Sequence, residues 1–277
     1  MTFQPEQLSR SKTVLATSLR ELRKRVGLSQ VRLAQRCNMS QTKLSNIETG
    51  RVGPSLVDVE LILKVLKASP AEAAEVMSLA RLANTEWESK RASWRKGVEK
   101  RQAELAGLES EATVLRYFLP AMVTGLLATP EYVKASLSGS PGDKTVTIAR
   151  KLERQAILYD TTKAFTFLLT EQAVRWPVLQ GAAMAVQVDR LVSLSHLPNV
   201  RIGVLPLGST ISRGPMNTFT VYDERLATAE TFTGRMVFQD SRDITEHLSV
   251  FDAYGSQALF DEDARHLLTE WAIAFRS

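Results

Sequence analysis

Two short amphipathic patterns separated by a tight break occupy residues 29–51, SQVRLAQRCNMSQTKLSNIETGR. In both patterns the apolar residues recur at the spacing of one helix face. These residues are Leu33, Ala34, Cys37, Leu44 and Ile47. Ser29 and Ser40 stand where the two helices would begin, and a serine hydroxyl there accepts a hydrogen bond from a free backbone N–H group. The segment therefore predicts two short helices joined by a tight turn.

The same periodicity continues on both sides, so that residues 12–83 predict five short helices. The first runs from Lys12 to Val26 and stops at Gly27, and its inner face is Val14, Leu15, Leu19, Leu22 and Val26. Ser55 caps the fourth helix, whose buried stripe is Leu56, Val59, Ile62, Leu63 and Leu66. The sequence Ser69-Pro70-Ala71-Glu72 is a capping box that opens the fifth helix. We therefore expect an all-α first domain over residues 1–83.

A charged stretch, residues 84–112, separates this domain from the rest of the chain. We expect it to be a helical connector that packs through apolar side chains, namely Trp87, Trp94, Leu105 and Leu108. An amphipathic helix that binds a partner is the alternative.

Residues 113–277 mix strand and helix patterns. Strands are predicted at 164–170 and 200–207, and two more at TFTVYD and ATAETFT, joined by a turn near Asp223. Helices are predicted after the Thr129-Pro130 cap, at 145–158, in QGAAMAVQVDRLVSLSHL, and over 241–275. The expected fold class is multi-domain: a five-helix domain followed by an α+β or α/β domain with a small sheet.

The charge is unevenly distributed along the chain. Residues 9–67 hold 12 Lys and Arg against 4 Asp and Glu, a net +8, whereas residues 68–277 hold 23 against 25, a net −2. A basic small domain indicates a polyanionic partner, most often nucleic acid; a solvated basic surface is the alternative. The single cysteine, Cys37, suits a reducing compartment and predicts a core position. No apolar run is long enough for a transmembrane helix, and no metal-ligand cluster is present.

The second helix of the opening pair, about residues 40–49, carries an outer face suited to reading base edges. Its side chains both donate and accept hydrogen bonds in the way the major groove demands: Gln41, Thr42, Lys43, Ser45 and Asn46. Ser29 and Gln30 open the preceding helix, where free N–H groups attract phosphate. Arg51 lies just beyond the reading helix and adds a phosphate contact. These residues and the cap Ser40 form the predicted DNA-binding set.

The pattern LRKRVGLSQVRLAQRCNMSQTKLSNIETGRVGPS, within residues 19–67, resembles the phage-repressor type of helix-turn-helix, the Xre family. The resemblance implies that Gln30 clamps phosphate and that Gln41, Thr42 and Asn46 read bases. It also implies an ion pair between Arg23 and Glu48. Asn38 stands where that family usually has Gly, and asparagine tolerates a left-handed backbone better than most residues.

Downstream, the sequences YFLPAMVTGLLATPEYVKASL, RKLERQAIL and PNVRIGVLPL resemble the domain fused to such helix-turn-helices in actinobacterial Scr1-like or WhiJ-like regulators. That resemblance spans roughly residues 84–275. It implies an antitoxin-like transcription regulator, often encoded beside a small acidic partner protein. At the signature VTGLLATPEY, Thr124 replaces the usual Pro and Ala128 the usual Gln.

Three features of the second domain carry residue types that catalysis or ligand binding can use. Ser195-His196 lack the surrounding pattern of a nucleophile elbow, and LGSTISRGPMN (207–217) is expected to be a loop between strands. The acids Asp261, Glu262 and Asp263 are explained by the start of a helix. We therefore expect no enzyme activity and no cofactor.

Together these patterns predict a cytoplasmic, nucleoid-associated transcription regulator that binds double-stranded DNA as a homodimer. Its C-terminal domain is expected to bind an effector or partner. The alternative is an antitoxin-like interaction module whose main role is to bind a small protein encoded nearby.

Overall fold

A computed structural model of the chain describes residues 6–89, 98–139, 143–232 and 234–277. They form two units. One runs to Trp87 and takes in Met236–Asp243, and the other comprises Glu88–Arg235 and Ile244–Ser277. The predicted domain limits at residues 83 and 113 stay predictions.

Five helices make up the N-terminal unit: α1 (Glu6–Arg25), α2 (Gln30–Arg36), α3 (Gln41–Glu48), α4 (Leu56–Leu66) and α5 (Pro70–Asn84). Their inward side chains form one apolar cluster that includes Leu15, Leu19, Leu33, Leu44, Ile47 and Ile62. All five residues of the predicted α4 stripe are buried. The prediction that Val14 and Val26 face inward from the first helix is wrong, since each is 45% exposed.

The stretch predicted as a helical connector is not helical throughout. Strand β1 occupies Thr85–Ser89 and helix α6 occupies Val98–Glu111. Trp94 lies outside the described residues, and so does the side chain of Trp87. Leu105 and Leu108 are half-buried, and Leu108 packs against the core of the second unit.

The larger unit alternates strands and helices. Its strands are β2 (Val114–Leu119), β3 (Ala164–Thr170), β4 (Val200–Leu205), β5 (Phe219–Tyr222) and β6 (Leu226–Glu230). A further strand, β7 (Gly234–Phe238), spans the point in the sequence where the division between the units falls, after Arg235. Its helices are α7 (Pro130–Ser136), α8 (Thr145–Glu153), α9 (Glu171–Arg175), α10 (Gly181–Leu194), α11 (Ser241–Gly255) and α12 (Asp261–Arg276), with a 3₁₀ turn at Arg154–Tyr159.

A mixed sheet is the centre of this unit, and five of its strands run in the order β6-β5-β2-β3-β4. β2, β3 and β4 are parallel, with Tyr117 opposite Phe167 and Phe167 opposite Ile202. β5 runs antiparallel to β2 and places Phe219 opposite Phe118. Helical crossovers connect the parallel strands, as parallel pairing requires.

Both faces of the sheet are covered, because successive side chains of a strand point to opposite faces. On one face Leu115, Phe167 and Val204 join α10 and α12 in the main core. On the other face the ring of Phe118 stacks on that of Tyr254 from α11, with 4.6 Å between their centroids.

The predicted fold class is confirmed: a helical N-terminal domain is followed by a domain of helices and a mixed sheet. The larger unit has strands β2 to β6, one more than the four predicted, because the sequence did not predict β2. The sequence also did not predict β1 and β7. The tail over 241–275 is helical as predicted, and it forms two helices with a break between Gly255 and Asp261.

Candidate nucleic-acid interface

The turn between α2 and α3 depends on one left-handed residue. Asn38 has φ 51°, and the backbone N–H of Met39 donates to the carbonyl of Ala34 at 3.0 Å. Ser29 caps α2 by accepting from the N–H of Arg32 at 3.3 Å, and Ser40 caps α3 by accepting from the N–H of Lys43 at 3.1 Å. Helix, turn and helix therefore follow the sequence prediction.

Helix α3 is anchored on its inner side and open on its outer side. Leu44 and Ile47 are almost fully buried. Gln41 and Thr42 at the first turn are exposed, and Ser45 and Asn46 are half-buried. The donor and acceptor groups predicted to read bases are therefore accessible along one side of α3.

A buried carboxylate ties three helices together. Glu48, only 4% exposed, accepts from Nε of Arg23 on α1 at 2.6 Å and from its Nη2 at 2.8 Å. Arg23 also donates to the carbonyl of Leu28 at 2.8 Å. The hydrogen bonds that Arg23 donates to Glu48 raise the pKa of Arg23 above its ordinary value, although burial opposes this. This is the ion pair that the family resemblance implies.

Gln30 is held by the same carboxylate. Its Nε2 donates to Oε2 of Glu48 at 2.8 Å. An amide nitrogen has two N–H groups, so one remains for a phosphate oxygen while the other fixes the side chain. The role of Gln30 in DNA binding stays a prediction, but the structure shows what orients it.

Lys43 differs from the other predicted reading residues. Its Nζ forms an ion pair with Oδ1 of Asp58 at 2.8 Å. Asp58 is the acid of the capping box that begins α4, where it accepts from the N–H of Ser55 at 3.2 Å. Burial raises the pKa of Asp58, but the hydrogen bonds from Lys43 and Ser55 outweigh it, so the pKa lies below its ordinary value.

Sequence reasoning did not identify Asp58 as part of the site. The signal was present as Ser55-Leu56-Val57-Asp58, the spacing of a capping box. Its contact with Lys43 spans 15 residues and depends on where α3 and α4 lie in the folded unit, which no local pattern encodes.

Ser29 precedes α2, and Arg51 follows the reading helix α3. Both are exposed. The hydroxyl of Ser29 accepts the capping hydrogen bond from Arg32, and its O–H group can donate to a phosphate oxygen at the same time. The backbone N–H of Arg51 donates to the carbonyl of Asn46 at 2.9 Å, which ties the loop to the end of α3.

Cys37 is 2% exposed in the helical core, and burial raises the pKa of its thiol. A protonated, buried thiol is a poor nucleophile. Its position is that of a small core residue, as the sequence predicted.

The features of the second unit considered for chemistry are explained by local structure. The hydroxyl of Ser195 donates to the carbonyl of Val192 at 2.7 Å. In the loop 207–217, Arg213 forms an ion pair with Glu246. Asp261, Glu262 and Asp263 lie in the first turn of α12. Within the described ranges, no group of three or more His, Cys, Asp and Glu side chains is placed to hold a metal ion.

The fold and the geometry of α2 and α3 define a helix-turn-helix protein with a larger C-terminal domain. Residues 14–76 match the family described as a helix-turn-helix domain. Residues 102–270 match the family described as "Domain of unknown function (DUF5753)". Since the second match covers more than half of the chain, the protein belongs to that family.

No curated protein matches the chain. Among solved structures, "NucT from Helicobacter pylori" is similar at 9% identity and a TM-score of 0.36, covering 63% of this chain and 97% of that one. TrmBL2, titled "an archaeal chromatin protein", is similar at 11% identity and a TM-score of 0.35, covering 73% of this chain and 66% of that one. Similarities this low carry no argument about function. In the part of the chain that the structure describes, no helix is both long and apolar enough to cross a membrane.

Proposed function

We propose that the protein is a sequence-specific, DNA-binding transcription regulator in which α3 reads the major groove. The observation that carries this proposal is the division of α3 into two sides. Leu44 and Ile47 fix it to the helical core, while Gln41 and Thr42 project donors and acceptors outward. The major groove admits one α-helix and presents a distinct pattern on each base pair.

Charge supports the same proposal. The helical region carries a net +8 over residues 9–67. Arg32, Arg36 and Arg51 are exposed, and the described residues give none of them an ion-pair partner. Cations of this kind supply the sequence-independent part of DNA affinity by replacing counterions on phosphates.

The proposed active form is a homodimer. One reading helix contacts only a few base pairs, so useful specificity calls for two half-sites about one helical turn apart. Sedimentation of the full-length protein with and without duplex tests this, since two chains per duplex are expected. One chain per duplex would contradict it.

The experiment that tests the proposed function is selection from a random-sequence duplex library by the full-length protein. Enrichment of one motif, bound roughly 10³-fold or more tightly than a scrambled duplex, is expected. Equal affinity for the enriched and scrambled duplexes would contradict sequence-specific binding. The finer resemblance to Xre-type and Scr1-like or WhiJ-like regulators, a nucleoid location and the absence of enzyme activity are parts of this proposal.

A second proposed role is the binding of a small protein encoded next to this chain. It is favoured by an open groove of about 740 Å³ between α7 and α8. The groove is lined by Glu131, which belongs to the signature VTGLLATPEY, and by Lys134, two residues after that signature. Its lining also includes the apolar side chains of Ile148 and Leu179. Co-expression of the neighbouring protein with the full-length chain tests the role: co-purification that Lys134→Glu abolishes would support it, and unchanged co-purification would contradict this surface.

A further inference from the structure

Lys43 sits at the first turn of α3, yet its ammonium group is turned to another helix. Nζ lies 2.8 Å from Oδ1 of Asp58, with the lysine side chain 48% exposed and the aspartate side chain 16% exposed. The carboxylate is held in place independently of Lys43. Oδ2 of Asp58 accepts from the N–H of Ser55 at 3.2 Å, and the N–H of Asp58 donates to the hydroxyl of Ser55 at 3.1 Å.

This geometry gives a flexible cation a fixed partner beside the proposed reading face. A free lysine ammonium is a mobile point charge that contacts phosphates of any sequence. Each such contact adds affinity for all duplexes alike. A lysine paired with a carboxylate has its ammonium oriented toward that partner and brings little net charge to the DNA, because the carboxylate repels the phosphates that the ammonium attracts.

We propose that Asp58 is a specificity-determining residue, which withholds the ammonium of Lys43 from the phosphate backbone and so lowers sequence-independent DNA affinity. This inference rests on the proposed function. Discrimination between duplexes is then left to the neutral side chains of α3, Gln41, Thr42, Ser45 and Asn46, whose hydrogen bonds depend on the base.

The chain contains a matched control for this pair. Glu72 is the acid of the capping box that begins α5, where it accepts from the N–H of Ser69 at 2.9 Å. It pairs with Arg25 of α1 at 2.5 Å. Glu72→Gln removes the same charge from the same kind of helix start. The cation that it releases is Arg25, which lies on α1 and not on α2, α3 or the loop that follows α3.

The test measures affinity of the full-length protein for two probes across a series of salt concentrations. One probe is the duplex that the wild-type protein enriches from a random library, and the other is a scrambled duplex of the same composition. Asp58→Asn keeps an oxygen that accepts from Ser55, so the capping box of α4 survives. Thermal unfolding of each variant checks that it is folded.

With Asp58→Asn, affinity for the scrambled duplex is expected to rise roughly 5- to 10-fold near 0.1 M salt, and the log–log salt slope to steepen by about 0.9. The ratio of the affinity for the enriched duplex to the affinity for the scrambled duplex is therefore expected to fall. In the double variant Asp58→Asn, Lys43→Gln the slope returns to the wild-type value. Glu72→Gln leaves the affinity ratio unchanged.

Lys43→Gln alone gives a result that does not depend on any change at Asp58. If Asp58 withholds the lysine, the salt slope stays at the wild-type value. A slope shallower by about 0.9 would show that Lys43 already contacts a phosphate, and would overturn the inference.

The other outcomes are also decisive. An unchanged affinity ratio in Asp58→Asn, or a double variant that keeps the steep slope, would overturn the inference while the proposed function stands. If the wild-type protein does not distinguish the enriched from the scrambled duplex, the proposed function fails and the inference fails with it.

Discussion

At the scale of single residues, the helix-turn-helix depends on the buried carboxylate of Glu48. Glu48 has 1% of its side chain exposed, and it pairs with Arg23, whose side chain is 11% exposed. Removing one partner of a buried pair leaves the other charge uncompensated. The pair therefore joins α1 to α3 at the cost of great sensitivity to substitution at either end.

Glu48→Ala is expected to destabilise the helical unit by about 3 kcal/mol, because Arg23 and Gln30 both lose their acceptor. Thermal or urea unfolding followed by circular dichroism measures the change. The control is Glu60→Ala, an exposed acid on α4, for which a change within about 0.5 kcal/mol is expected. Similar losses in both variants would contradict a structural role for the buried pair.

Arg51 is expected to bind phosphate without reading sequence. Arg51→Ala should weaken binding to an enriched and a scrambled duplex by the same factor and reduce the salt slope by about 0.9. Lys64→Ala is the control, because it removes an equal charge from the last turn of α4. A loss confined to the enriched duplex would show instead that Arg51 contacts a base.

At the scale of elements, the turn between α2 and α3 requires a positive φ at Asn38, which is 51°. A Cβ in the left-handed region costs roughly 1–2 kcal/mol, and the short polar side chain of asparagine reduces that cost. Asn38→Ala should therefore destabilise the helical unit by about 1 kcal/mol, whereas Asn38→Gly should be neutral or slightly stabilising. Unfolding midpoints of the two variants decide; a loss with glycine as large as that with alanine would contradict this account of the turn.

In the second unit, Gly203 of β4 leaves room for an aromatic ring. A Cβ at this position would overlap the ring of Phe260. The guanidinium carbon of Arg201 lies 4.0 Å from the centre of the same ring, within the range of a cation–π contact. Gly203→Ala should destabilise this unit by about 1–3 kcal/mol. Combining it with Phe260→Ala should cost less than the sum of the single changes, and strict additivity would contradict the overlap.

The elements that could be predicted from sequence are those with local chemistry. The caps Ser29, Ser40 and Thr129 each precede a helix, because a side-chain acceptor and an apolar period coincide there. β3 and β4 are short apolar runs between turn signals. Strand β2 was missed because its sequence continues into the apolar LPAMVTGLL, where neither period is distinct.

The candidate site was predictable in its outline but not in its contacts. The outward residues of α3 follow from the helical period. The pairing of Lys43 with Asp58 and of Gln30 with Glu48 depends on how the helices pack. Val14 illustrates the same limit of sequence prediction. It belongs to the apolar pattern of α1, but the face of α1 that packs against the core is too narrow to bury it.

At the scale of the whole molecule, the basic charge lies in the region of the helix-turn-helix and the larger domain is nearly balanced. The net charge is +8 over residues 9–67 and −2 over residues 68–277. Electrostatic attraction to DNA is therefore expected to act on the region that carries α3. Affinity of the full-length protein for any duplex should fall steeply with salt.

The central claim is that α3 reads base edges through Gln41, and parallel library selections with the wild-type protein and Gln41→Ala test it most directly. The account predicts that the variant retains the motif but loses preference at one or two adjacent base pairs, a loss of roughly 1–3 kcal/mol of discrimination. Gln35→Ala, an exposed glutamine on α2, serves as the control and should retain every preference. A Gln41→Ala variant that enriches the wild-type motif unchanged, or that loses preference evenly across the whole site, would contradict the claim.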